Sequence, residues 1–233
     1  MPPFVIAAVG AGGKTTALLH LARALSHRAV LLTTTTHMFP VRPPLCRSLL
    51  LDPSPTQLQE QLRRIGVTCA GTRSTDGKMG ALPAALLQQS IRASDITLCE
   101  ADGAHGLPLK LHRLDEPVLP PQTSLCLIVA GLSALGRPVG AAVHRYQLHP
   151  VWAQAPSQRV SPQIMVSCIR ETAAAVGLPP DKLRVFLNQS DLAGVRPQAE
   201  KILQALSSDG LDCRMGSLRD TPSLFIDWLL PST

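Results

Sequence analysis

Apolar and polar positions along this chain alternate between two periods, and the switches between them mark out its elements. The run Phe4 to Val9 is apolar throughout, the pattern of a strand buried on both faces. From Lys14 to about Leu25, the apolar residues Ala17, Leu18, Leu21, Ala22 and Leu25 fall at helical spacing, so strand, glycine-rich turn and helix follow in order. Val30 to Thr35 predicts a second strand, Pro40 to Pro44 a proline-punctuated loop, Ser48 to Leu51 a short strand and Pro55 to Arg64 a helix. Gly71 to Gly80 reads as a loop and Pro83 to Ile91 as a helix. Ile96 to Glu100 and Leu125 to Ala130 are buried strands with an irregular, proline-rich span between them. After Gly131 periodic signals are few until Ser161-Pro162, an N-cap and first-turn pair that opens a helix through about Val176. A strand over Leu183 to Leu187, a helix over Pro197 to Leu206, a short strand over Cys213 to Leu218 and a helix over Pro222 to Leu230 complete the order.

Strands separated by helices of about 10 to 15 residues predict a three-layer α/β fold, a mostly parallel sheet with helices on both faces. No repeat, low-complexity tract or linker interrupts the 233 residues, so one domain over 1-233 is expected. With 45% hydrophobic and 16% charged residues the chain can bury a large core, which excludes disorder over most of it. Its longest apolar runs fall far short of the roughly 20 residues that span a bilayer, so no membrane partner is expected. The first apolar run lacks a basic segment before it and ends in glycines, which predicts no export signal and a cytoplasmic location. The six cysteines agree with this: the closest pair, Cys46 and Cys69, stands 23 positions apart, so reduced, mostly buried thiols are expected. Lys and Arg number 22 against 16 acids, a net charge of +6, but they are dispersed, and aromatics at 3% leave little to stack on bases. A phosphate-bearing small ligand therefore suits the charge better than nucleic acid.

The turn Val9-Gly10-Ala11-Gly12-Gly13-Lys14-Thr15-Thr16 joins the first strand to the first helix, where backbone N–H groups and a helix N-terminus can face a phosphate. Ala8 stands where the full G-x-x-x-x-G-K-[ST] pattern has glycine, so the match is to the shorter core Gly10 to Thr15. In this P-loop, Lys14 would reach the β/γ oxygens, Thr15 would offer its hydroxyl to Mg²⁺, and the backbone from Gly10 through Ala11, Gly12 and Gly13 to Thr16 would cradle phosphate. The fold expected is thus P-loop NTPase-like. Such a loop needs a carboxylate at a neighbouring strand end, and Glu100-Ala101-Asp102-Gly103 supplies two on the same side of the strand, with Cys99 on the opposite face. Asp102 is favoured for the metal or its water shell, and Glu100 as a second ligand or as the group orienting a nucleophile. Thr35, near the end of the Thr33 to His37 run, can complete a magnesium shell from the same carboxyl edge.

The strand Arg184 to Leu187 runs into Asn188-Gln189-Ser190-Asp191, which matches the N-[KQ]-x-D loop that reads guanine in GTP-binding proteins. Asp191 can accept from the guanine ring N–H and amine, and Asn188 can meet the N7/O6 edge. The same residues also suit a helix N-cap.

These stretches, with Thr33-Thr34-Thr35-Thr36-His37-Met38, Leu107-Pro108-Leu109-Lys110, Glu116-Pro117-Val118 and Val143-His144-Arg145, resemble the YqeC family over most of the chain. The resemblance implies an accessory role for selenium-dependent molybdenum hydroxylases, in making or inserting a selenium-containing molybdenum cofactor, with the hydroxylase or its maturation proteins as partners. On this reading the protein is a Mg²⁺-dependent nucleoside triphosphatase or transferase using GTP or ATP. Its alternatives are an ATP-dependent kinase or ligase that activates a small acid, and a nucleotide-gated cofactor chaperone without turnover.

Overall fold

Apolar runs and helix-period segments fold into alternating strands and helices, and nearly all strand pairs are parallel. The computed structural model describes residues 3–230, which divide into two compact units.

The first unit comprises residues 3–8, 15–103 and 118–125. It carries the strands β1 (Phe4–Gly10, whose last two residues belong to the second unit), β2 (Ala29–Thr34), β3 (His37–Met38), β4 (Ser48–Leu51), β5 (Gly66–Arg73), β6 (Met79–Gly80) and β7 (Ile96–Glu100). Its helices are α1 (Lys14–Ala24, whose first residue belongs to the second unit), α2 (Pro55–Leu62) and α3 (Ala84–Ala93). β7 lies between β1 and β2, parallel to both, with Glu100 in register with Ala8 and Thr34. β5 continues the parallel ladder from β2 to β4, and β6 pairs antiparallel with β5 and β3. Val5 and Leu31 of the strands bury against Leu58 and Leu62 of α2 and Leu86, Leu87 and Ile91 of α3. Each fully buried leucine contributes roughly 1.5–3 kcal/mol over exposure. The Ser54 hydroxyl and the Gln57 side chain cap α2 reciprocally, so the polar start of that helix is satisfied locally.

The stretch Gly71 to Gly80, expected to be a loop, is in part strand: β5 extends to Arg73 and β6 occupies its end. Covered on both faces, β5 shows no alternation, and its glycines mimic turn residues. Gly71 is instead a packing requirement, because a Cβ there would lie 2.6 Å from the carbonyl oxygen of Gly80.

The second unit comprises residues 9–14, 104–117 and 126–230. Its elements are β8 (Leu109–Lys110), β9 (Leu125–Gly131, whose first residue belongs to the first unit), α4 (Val139–Ala142), β10 (Val143–His144), α5 (Pro150–Gln154), α6 (Pro162–Val176), β11 (Leu183–Asn188), α7 (Arg196–Ser208), β12 (Asp212–Gly216) and α8 (Pro222–Leu229). β11 is central, parallel to β9 and to β12, while β8 and β10 form a separate parallel pair. α6 opens on the Ser161 hydroxyl and stops at Gly177 in the left-handed region. Phe186 of β11 packs its ring 4.8 Å from that of Phe225 on α8.

Among the described residues the six cysteines form no disulfide; five are buried and Cys213 is half-buried. Burial pushes the thiols of Cys69, Cys99 and Cys213 up to about 12 and raises Cys168 as well. Among the described residues, no helix is long and apolar enough to cross a membrane.

Candidate functional site

In the second unit, the turn after β1 is shaped by its backbone. Gly10 takes φ 88°, and a Cβ there would fall 2.3 Å from the Val129 carbonyl oxygen, so only glycine fits. That carbonyl accepts the Ala11 N–H at 2.8 Å, which ties the turn to β9. Lys14 is buried, 5% exposed, and its Nζ curls back to donate to the Gly10 carbonyl oxygen at 2.8 Å. The cation is therefore held across its own loop.

Asn188, at the end of β11, donates from Nδ2 to the Gly12 carbonyl oxygen at 2.8 Å and accepts the Leu218 N–H on Oδ1 at 3.0 Å. One buried amide thus braces the glycine turn against the segment after β12. It caps no helix: the Ser190 N–H goes to the Gly216 carbonyl, and α7 starts only at Arg196. Gln189 takes φ 71°, and its Oε1 accepts the Ser133 N–H at 3.2 Å. Asp191 accepts from Arg219 Nη2 at 2.9 Å. Asn188 and Asp191 thus share one loop, but in this structure the Asn188 amide faces protein backbone.

The first unit supplies the acids. Thr15 Oγ1 donates to Glu100 Oε2 at 2.6 Å, so the hydroxyl that opens α1 meets the carboxylate that ends β7. Glu100 is 6% exposed, and Asp102, two positions on, is fully buried. Between them, Ala101 donates its N–H to Ala8 and accepts that of Val118, which holds the strand extension straight. Thr16 is exposed on the first turn of α1. The threonine run is wired into the same strand end. Thr34 Oγ1 donates to the Glu100 carbonyl at 2.7 Å, the Thr35 N–H donates to it at 3.1 Å, and Thr35 Oγ1 donates to the Val118 carbonyl at 2.6 Å.

A hydroxyl whose proton goes to a neighbour keeps its lone pairs for a cation. Thr15 and Thr35 are both in that state, and with the carboxylates of Glu100 and Asp102 they are oxygen donors of the kind that a hard ion such as Mg²⁺ takes. Among the described residues, no three His, Cys, Asp or Glu side chains are grouped to hold a metal. The residues present fit an ion whose coordination is completed by water and phosphate oxygens.

A further cluster in the second unit has no counterpart in any spacing rule. The Lys110 Nζ, on a side chain with no exposed surface, lies 3.0 Å from Glu116 Oε2, and Arg145 grips both Glu116 oxygens as a two-pronged fork. Burial alone would raise the Glu116 pKa, but the Arg145 and Lys110 hydrogen bonds and charges overcome it and hold the carboxyl at about 2. His144 is in register with Lys110 on the β8–β10 pair, and its ring centroid is 4.7 Å from that of His105. These residues lie up to 40 positions apart in the chain.

The family model described as YqeC protein matches residues 6–147, which include the glycine turn, the threonine run, both acids and the Glu116–Arg145 pair. A protein of Escherichia coli (strain K12) named "Uncharacterized protein YqeC" is 31% identical over 237 aligned residues, covering 95% of this chain and 90% of that protein.

Proposed function

The chain belongs to the YqeC family, and on that premise we propose that it binds a magnesium nucleoside triphosphate at Gly10 to Thr16 and hydrolyses it. The observation that carries the reading is the 2.6 Å bond between Thr15 and Glu100. It sets a P-loop hydroxyl on a strand-end carboxylate, and Lys14 precedes Thr15 directly, so a phosphate on the loop and a cation on Thr15 are neighbours by covalent connection. The left-handed glycine at position 10 and the curled lysine support it too: Lys14 would exchange the Gly10 carbonyl for a phosphate oxygen on binding.

In this reading Thr15, Thr35 and Asp102 hold the cation directly or through water, and Glu100 orients the attacking water. The bound ion would supply positive charge to the phosphate oxygens as the terminal bond breaks. Lys14 would lend its charge to the same oxygens, and the loop N–H groups would hold the phosphates still. Asp191, once released from Arg219, would read a guanine, so GTP is the preferred nucleotide and ATP the second. The role of the reaction, maturation of a selenium-containing molybdenum cofactor or of the hydroxylase that carries it, rests on the likeness of the motif stretches to the family.

Calorimetry of Lys14→Ala tests the reading. Its fold should persist by circular dichroism while affinity for Mg-nucleotide falls by at least about 100-fold, the loss of two charge-assisted hydrogen bonds. Undiminished affinity would refute the phosphate loop.

A further inference from the structure

The cluster around Glu116 is elaborate for a structural contact, and the nucleotide reading does not use it. Lys110 is buried without exposed side-chain surface, Arg145 sits at φ 63° in the left-handed region, and both converge on one carboxylate. The fork to Glu116 occupies two of the five guanidinium N–H groups, so Arg145 arrives rigidly oriented with three donors left over. Beside it, the Nε2 atom of His144 is buried and has no hydrogen-bond partner. Buried polar atoms in folded proteins nearly always have one. His105, whose ring lies against that of His144, is exposed, at φ 49°, and followed by Gly106, where an added Cβ would meet nothing within 4 Å.

We propose that His144, His105 and Arg145 form a binding site for a small oxyanion, the carboxylate or phosphoryl group of a second substrate, with Glu116 and Lys110 as the residues that position Arg145. The charges facing His144 select the sign of the ligand. Arg145 beside it, Lys110 on β8 and His105 on the preceding loop are cationic or can become so, with Glu116 opposing them. Desolvation, His105 and these cations hold the imidazole at about 4, so it is neutral at pH 7, and the Arg145 and Lys110 charges around it repel further positive charge. A metal cation is thereby disfavoured. An oxyanion seated against Nε2 would take hydrogen bonds from the imidazole and from the spare Arg145 donors, and would favour proton uptake by His144 as it binds. The inference stands apart from the nucleotide reading, since none of these residues belongs to the glycine turn or to the acids Glu100 and Asp102.

The test uses the whole chain labelled with ¹³C at histidine Cε1, its signals assigned with His105→Gln and His144→Gln. Inorganic phosphate is titrated in one arm and acetate in the other. We expect the His144 and His105 signals to move saturably with at least one anion by roughly 10 mM, tenfold above a millimolar dissociation constant, and the His144 pKa to rise by about one unit. Acetate acting alone would assign a carboxylate, and phosphate acting alone a phosphoryl group. Arg145→Lys, which keeps the charge and loses the fork, should weaken the response roughly tenfold. The shift should persist in Lys14→Ala even if that variant, or the wild type, binds no nucleotide. A His144 signal that neither anion moves, or a shift that disappears in Lys14→Ala, would overturn the proposal.

Discussion

Thr15 and Glu100, 85 positions apart in sequence, meet through a 2.6 Å hydrogen bond from hydroxyl to carboxylate. The contact ties the start of α1 to the end of β7, and it leaves the Thr15 oxygen with lone pairs directed away from its proton. Two elements that ordinary packing would bring only into apolar contact thus share a polar end.

If this end holds the cation, Asp102→Asn and Glu100→Gln should each slow metal-dependent hydrolysis by about a hundredfold or more, a loss comparable to removing one preorganised charge-stabilising group. Circular dichroism should stay native. Turnover that survives neutralisation of each acid would reduce them to strand-end residues.

Asn188 offers a different kind of test, since it touches backbone at both ends. Asn188→Ala leaves a buried carbonyl and a buried N–H without it, and should cost about 2–4 kcal/mol in urea unfolding. Nucleotide affinity should fall with it, because Gly12 is no longer braced. A variant of wild-type stability would show that water or another side chain replaces the brace at little cost.

Base preference depends on Asp191. Guanine can give it two hydrogen bonds that adenine lacks, and a bond to a charged group is worth about 1.5–3 kcal/mol, so GTP should displace labelled nucleotide at least about tenfold better than ATP. Arg219→Ala frees the carboxylate from its 2.9 Å partner and should widen the gap, whereas Asp191→Asn should close it. Equal displacement by the two nucleotides in the wild type would remove Asp191 from base recognition and favour an ATP-dependent kinase or ligase.

Glu116 gives a pH signature. Its carboxyl is held at about 2 in the fold against an ordinary 4.5, so its charged form stabilises the protein above pH 4.5, and that contribution disappears as pH falls toward 2. The difference corresponds to about 3 kcal/mol. Urea unfolding of wild type and Glu116→Gln should therefore differ most near neutrality and converge in acid. A gap that stays constant over this window would mean that the pair with Arg145 does not set the titration.

The glycine turn after β1 was legible in the sequence because its demand falls on the backbone: a left-handed, close-packed turn requires glycine, and glycine shows as a letter. The alternation of strands and helices was legible because each long segment buries a periodic face. β5 was read in part as loop, since a strand covered on both faces and seeded with glycine has no period to detect. The two-residue strands β8 and β10 are too short to carry one. The sequence leaves Asn188 open between a helix cap and a base contact, because one amide suits both; the positions of Gly12 and Leu218 rule out the cap and show a brace that no spacing announces. The grip of Arg145 on Glu116 links residues 29 apart, with β9, α4 and β10 between them, so no single periodic segment announces it.

The buried thiols make this chain its own recorder of opening. Cys69 and Cys99 lie in the first unit and Cys126 and Cys168 in the second, each buried. Alkylation needs a thiolate reached by reagent, so each should react only when the strand or helix around it opens. Mass spectrometry of the modified cysteines over time would then follow the two units separately in a single unlabelled sample. Added nucleotide or oxyanion should slow one clock or both, according to which unit it holds closed.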